Sequence, residues 1–322
     1  MEEASASKAK NKKFSERAPF KTEGNWYKGN LHTHTTGSDG DRSPAEIAAH
    51  YRAQGYDFLA ITDHGKVTDI AGLSHDDFLV LPGAELSASG AEFNYGYHLV
   101  AVNIWEVDGL ASNMDAQDVI NAINAKSGIA IVAHPYWSAL TIHDLMRLEG
   151  YIGIEVYNTS CWHSIGKGHS MIHWDALLSK GRNVWGMATD DVHWHFNDHR
   201  PVDACGGWVM VKAPALTEQN IVNALRAGQF YASSGPTIED ITVSDEIVAA
   251  TVSPSRAIHF ICDNGRGEAF TSPEGKPITS AEFKPKGKEK FLRIQTVAPD
   301  GGMAWSNPLW VGGAPGSSRP KS

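Results

Sequence analysis

From Trp26 onward the chain alternates two textures: short apolar runs, and longer segments whose apolar residues recur at helical spacing. The runs at 58–62, 78–84, 97–104, 128–133, 151–158 and 184–189 have the length of strands, and a shorter one leads into Leu31. Between them, 43–54 carries the marks of a helix: Ser43 as N-cap, Pro44 at the first helical position, Glu46 closing a capping box and Gly55 as the stop. Helical segments are also predicted at 115–126, at 171–179 and at 213–228, the last with Thr217 as its N-cap and Gly228 as its end. About seven strand-then-helix units are the pattern of a parallel barrel, and continuous apolar strands suit burial on both faces. Past Gly235 and Pro236 the texture becomes short alternating strands at 238–243, 247–252, 257–262, 291–297 and 308–311. That reads as a small antiparallel β-sandwich over 236–313, with no catalytic constellation of its own.

In a parallel barrel the active site lies at the C-terminal ends of the strands. His32 and His34 stand two apart at the end of the first strand, and residues so spaced project from one face. An isolated His-x-His is more often one packed and one exposed histidine than a metal site. Here similar residues recur: Asp39 on the following turn, Asp63 and His64, Glu85, His98, His134, then Asp190, Asp191 and His193. Mixed imidazole and carboxylate donors suit Zn, Mn or Fe, whereas structural zinc would need thiolates. Two or three clustered divalent cations would lower the pKa of a shared water to about 7, giving a bridging hydroxide at neutral pH. They would also clamp the attacking and leaving oxygens of an in-line displacement, which suits a phosphoesterase. Carbamate or carboxylic ester hydrolysis at the same cations is the alternative, and a non-catalytic metal-binding module is a third reading.

Composition narrows the partners. The chain has 322 residues, 42% hydrophobic and 20% charged, with a formal net charge of −9. The acidic balance argues against broad nucleic-acid binding. Apolar runs are too short to span a bilayer. Cys161, Cys205 and Cys262 are too few and too scattered for a disulfide framework. The segment 1–25 reads as a disordered leader without the apolar core of a signal peptide, and 314–322 as a disordered tail. The expected setting is cytoplasmic, and the expected partner a small-molecule ester, phosphorylated rather than nucleic acid.

Leu31-His32-Thr33-His34, Ser38-Asp39-Gly40, Thr62-Asp63-His64, Gly83-Ala84-Glu85, His98, Ala133-His134-Pro135 and Asp191-Val192-His193 occur in that order. Together they resemble the polymerase and histidinol phosphatase (PHP) family of metal-dependent hydrolases over residues 26–235. The β-rich end and the phrase Leu225-Arg226-Ala227-Gly228 resemble a carbaryl hydrolase-like branch. The resemblance implies a distorted (β/α)7 barrel holding two or three divalent metals. His32, His34 and Asp191 would bind the first, Glu85 would bridge to a second completed by His98 and His134, and Asp39, His64 and His193 would hold a third. Some members carry histidine where Asp39 stands, and an oxygen donor there should alter metal preference more than chemistry.

Four further residues are catalytic candidates. Asp63 is expected to orient His64 or a neighbouring ligand. His195 and His199 are candidates for proton transfer to the leaving group, and Arg200 for bidentate recognition of a phosphate. Glu155 and Asn158 could support the ligands from another strand end. Tyr136, Trp137, Tyr157 and Trp162 could line a substrate pocket or pack in the core.

Overall fold

The computed structural model describes residues 14, 19–110, 113–195, 202–244 and 246–315. The first two thirds run β1 (Asn25–Asn30), α1 (Pro44–Ala53), β2 (Phe58–Ile61), β3 (Leu79–Ala88), β4 (Tyr97–Val102), α2 (Ala116–Ala125), β5 (Ile129–Val132), α3 (Ile142–Met146), β6 (Gly153–Asn158), α4 (Thr159–Ile165), α5 (Met171–Ser179) and β7 (Trp185–Thr189). There follow β8 (Trp208–Ala213), α6 (Glu218–Ala227) and β9 (Phe230–Ser233). α1 begins where its cap residues place it: Ser43 Oγ accepts from Glu46 N–H and Glu46 Oε2 accepts from Ser43 N–H. Every residue of β2, β5 and β6 is buried, as expected of strands covered on both faces.

Strands β1 to β7 are neighbours in chain order. Just beyond β1 and β7 the two ends meet: Asp191 N–H donates to His32 O at 3.0 Å and His34 N–H to Val192 O at 2.9 Å, with Thr33 bridged to Val192 in parallel. The expected run of parallel strand–helix units is broken in two places. β3 pairs antiparallel with β4, and β4 antiparallel with β5. Residues 89–96 are the whole link between β3 and β4, too short for the crossover that a parallel pair requires. No helix lies between β2 and β3 either, so helices fill four of the six connections.

The C-terminal part comprises β10 (Ile238–Val243), β11 (Val248–Ser255), β12 (Ala257–Cys262), β13 (Gly267–Thr271), β14 (Ile278–Phe283), β15 (Phe291–Val297), β16 (Met303–Ser306) and β17 (Leu309–Trp310). β10, β11 and β14 form an antiparallel sheet whose Ile241, Val248 and Val252 pack with Ile258, Phe260 and Ile294 of the layer opposite. That opposite layer is continuous with the larger sheet, because β16 pairs with β9 and β9 with β8, which pairs with β1. The junction expected at Gly235 and Pro236 is thus crossed by a ladder. A second tie is Arg293 of β15, buried, whose guanidinium makes two bonds to Asp175 of α5 (2.7 and 2.8 Å) and lies 5.0 Å from the Trp174 ring. No described helix is long and apolar enough to cross a membrane.

Candidate metal centre

The segment after β1 turns both imidazoles the same way. His32 Nε2 and His34 Nε2 lie 3.1 Å apart, and both face Glu85 Oε2 (3.3 and 3.2 Å) and Asp191 Oδ1 (3.2 and 3.1 Å). Glu85 comes from β3, and Asp191 from the residues after β7. Donor atoms set tetrahedrally about 2.0–2.1 Å from one cation stand roughly 3.3–3.4 Å from each other, so these separations fit a shared ion.

Glu85 turns its other oxygen to a second group. Glu85 Oε1 is 2.8 Å from His98 Nδ1 and 3.2 Å from His134 Nε2. The sheet register explains the first contact: Glu85 faces Val100 across the β3–β4 ladder, so His98, two residues back, projects from the same side. The third group is looser. Asp39 Oδ2 is 3.5 Å from both His64 Nε2 and His193 Nε2, and Asp39 Oδ1 is 3.6 Å from His34 Nδ1. His64 Nδ1 lies 3.0 Å from Glu85 Oε2 and so touches the first group as well.

All nine residues singled out as metal ligands therefore converge, in three overlapping groups. The backbone is bent to bring two of them in: Asp191 has φ +54° and His134 φ +27°, both in the sparsely populated left-handed region. The Asp190–Asp191 doublet divides its labour. Asp190 faces away, accepting from Tyr51 Oη (2.6 Å), Thr159 Oγ1 (2.9 Å) and the N–H groups of Cys205, Gly206 and Gly207 (2.8 Å each).

Burial disfavours every charge here, yet the charges hold one another. Glu85 and Asp191 are buried carboxylates, kept below the usual range by His32 and by hydrogen bonding from neighbouring imidazoles. Against burial, the Asp191, Glu85 and Glu155 carboxylates raise His32 well above its ordinary value. Burial likewise opposes protonation of His34, but bonds to Asp191 and Glu85 raise it to about 9. Buried negative charge of this density demands positive charge, from imidazolium or from a cation. The donor set, mixed in nitrogen and oxygen and spaced around common centres, fits a divalent cation.

Sequence reasoning left other supporting residues without a firm role. Glu155 is almost fully buried: Oε1 accepts from His32 Nδ1–H (2.7 Å) and Thr189 Oγ1–H (2.8 Å), while Oε2 accepts from His134 N–H and Asn158 Nδ2–H (2.8 Å each). Asn158 Nδ2 also reaches Asp191 Oδ2 at 3.2 Å. Ser138 Oγ bonds His134 Nδ1 at 3.0 Å, and Asn30 Nδ2 donates to His32 O at 2.9 Å. A strand-end position was the signal available for Glu155 and Asn158; nothing in local spacing marks Ser138 or Asn30.

Among the other candidates, Asp63 bonds to no imidazole of the described residues. It accepts instead from Thr35 N–H and Oγ1–H and from Ser38 Oγ–H (2.7 Å each), and from Thr68 Oγ1–H, so it clamps the loop that presents Asp39. His195 is exposed at the rim, with Nε2–H donating to Asp39 O at 3.0 Å. His199 and Arg200 lie outside the described residues. Tyr157 is buried against Trp305, whereas Trp137 borders a cleft of about 510 Å³ onto which the three groups open.

No family model matches the sequence. The DNA polymerase/3'-5' exonuclease PolX of Bacillus subtilis (strain 168) is 39% identical over 66 residues, which are 20% of this chain and 12% of that protein. The chain thus spans only a small part of that curated relative's length. Among solved structures, a two-domain protein from Bacteroides vulgatus containing a predicted PHP-like metal-dependent phosphoesterase is 17% identical, with a TM-score of 0.51, over 89% of this chain and 96% of that one. Likeness along nearly the whole of both chains shows that this protein shares the mixed α/β fold of that PHP-like structure.

Proposed function

We propose that the protein is a multinuclear metal-dependent phosphoesterase of the PHP type, its strands β1 to β7 forming a distorted (β/α)7 barrel with the C-terminal strands as a β-sandwich packed on it. The observation that carries the reading is Glu85: one buried carboxylate offers Oε2 to His32 and His34 and Oε1 to His98 and His134. A carboxylate shared between two imidazole pairs suits two neighbouring cations better than either pair alone. The Bacteroides vulgatus protein of the same fold, described as containing a predicted PHP-like metal-dependent phosphoesterase, favours phosphoester over carbamate or carboxylic ester.

His32, His34, Glu85 and Asp191 would hold one ion, Glu85, His98 and His134 a second, and Asp39, His64 and His193 a third; Zn, Mn or Fe suits these donors. Divalent cations there would supply Lewis-acid activation of water and of a phosphoryl oxygen. The chain's own residues prepare that role. Glu155 fixes the proton of His32 on Nδ1 and so frees Nε2. Ser138 bonds His134 Nδ1 and leaves Nε2 facing Glu85, and His193 Nδ1–H donates to Asp191 O, leaving Nε2 facing Asp39. Asp63 fixes the loop that carries Asp39. His195, 5.3 Å from His193 by ring centroids and open to solvent, is the candidate to exchange a proton with the leaving group. The substrate class is a small phosphorylated ester.

Plasma emission analysis of purified protein, paired with aryl phosphate turnover before and after chelation, tests this. Two or three metal equivalents and chelator-sensitive turnover are expected. Fewer than two equivalents in active protein overturns the reading.

A further inference from the structure

The cleft has one wall that metal binding does not use. Tyr95, on the link between β3 and β4, stays 57% exposed despite its size. Its ring meets that of Trp137 edge-on, centroids 5.1 Å apart at 87°. Both rings adjoin the second ligand group: Trp137 is 4.9 Å from His134 and 6.0 Å from His98, and Tyr95 is 6.3 Å from His98. Ile165, at the end of α4, is 60% exposed and lines the same cleft. An exposed tyrosine, an exposed isoleucine and a half-buried tryptophan around one opening are an apolar surface that folding leaves uncovered.

The wall is held in place. Glu92 N–H donates to Asp144 Oδ1 at 2.9 Å, and Glu92 Oε2 accepts from Thr141 Oγ1–H at 3.0 Å, so the link is tied to the start of α3. Trp137 follows His134 and Pro135 in a turn fixed by Ser138 N–H on His134 O (3.1 Å) and Leu140 N–H on Pro135 O (2.9 Å). Among the described residues lining the cleft there is no lysine or arginine, while Asp39, Glu85 and Asp191 supply carboxylates. Beyond the ligand groups, then, the described lining offers a substrate aromatic and aliphatic contact rather than ionic contact.

We propose that Tyr95 and Trp137 form a subsite for a planar aromatic group on the substrate, so that the protein prefers aryl-bearing phosphoesters to alkyl ones. This rests on the phosphoesterase reading. Aromatic rings favour offset or edge-to-face partners with centroids roughly 4.5–7 Å apart, and a ring entering beside Trp137 meets Tyr95 at such an angle. A cleft of about 510 Å³ has room for a ring and an ester group together.

Binding tests this better than turnover, because aryl oxygens leave more readily than alkyl oxygens whatever the enzyme does. Calorimetric titration of the metal-loaded full chain with phenylphosphonate and with methylphosphonate gives the ratio that matters. Phenylphosphonate should bind about tenfold more tightly. Trp137→Ala and Tyr95→Ala should bring the ratio towards one, while Trp137→Phe should keep most of it. Metal content measured on each variant shows whether the His98–His134 group is still loaded. Equal affinities in the wild type, or a preference that survives both alanine substitutions in loaded protein, overturn the subsite and leave the phosphoesterase reading standing. Binding of neither phosphonate to loaded protein overturns both.

Discussion

Glu155 reaches two histidines with one carboxylate, fixing a ring proton on His32 and a backbone N–H of His134. Residues that orient metal-bound imidazoles typically matter by about 10–100-fold in affinity. Glu155→Gln should therefore weaken metal binding by about that factor, because an amide cannot match the charge that polarises His32. Chelator competition on the purified variant measures it; unchanged affinity would show that His32 needs no such partner. The adjacent aspartates make a sharper contrast. Asp190→Asn leaves three backbone N–H groups and two hydroxyls with a poorer acceptor and should cost about 2–4 kcal/mol of stability. Asp191→Asn should instead lower metal content. Urea midpoints and metal analysis on both variants separate the roles. In the sequence, the residues of the three converging groups were legible because strand-end histidines and carboxylates recur in order. Glu155 could be named but given no definite part, since its partners sit 21 and 123 positions away.

At the scale of elements, the loop after β1 depends on Asp63. Burial works against that carboxylate, but bonds from Thr68, Thr35 and Ser38 hold it below its ordinary value. A group depressed in the folded state contributes stability above its unfolded pKa, about 3.9 for aspartate, and loses it as pH falls through the folded value. The stability gap between wild type and Asp63→Asn should therefore be full at about pH 6 and shrink below about pH 4. Urea unfolding across that window checks the sign; a gap constant in pH would place the effect elsewhere. Gly37 belongs to the same device, since a Cβ there would run into Asp63 Oδ2 and Thr68 Oγ1. Strand positions were readable from apolar runs, but strand direction was not. The shortness of the link at residues 89–96 is what makes β3 and β4 antiparallel. β8 went unread as well: its burial alternates residue by residue, where β2, β5 and β6 are buried throughout.

For the molecule as a whole, the C-terminal strands share structure with the rest. Phe291, Trp305 and Trp310 lie in one core with Trp174 and Leu177 of α5, and Arg293 is bonded to Asp175 beside them. Calorimetry on the full chain should therefore show one cooperative unfolding transition; two separated peaks would mean that the halves fold independently. Arg293→Ala should cost about 3 kcal/mol, since it removes a paired guanidinium from a buried site. The sequence showed the change of texture at Gly235 and Pro236 but not the ladder between β9 and β16, whose partners are some seventy residues apart.

The meeting of the chain beyond β1 with the chain beyond β7 has a mechanical consequence. His34 and Asp191 are 157 positions apart, and their side-chain atoms touch within one turn of the hydrogen bonds that close the strand series. A cation held by both would act as a rivet where the two ends of the strand series meet. Stripping it would free the two edges together, so metal-loaded protein should resist proteases there and chelated protein should be cut there first.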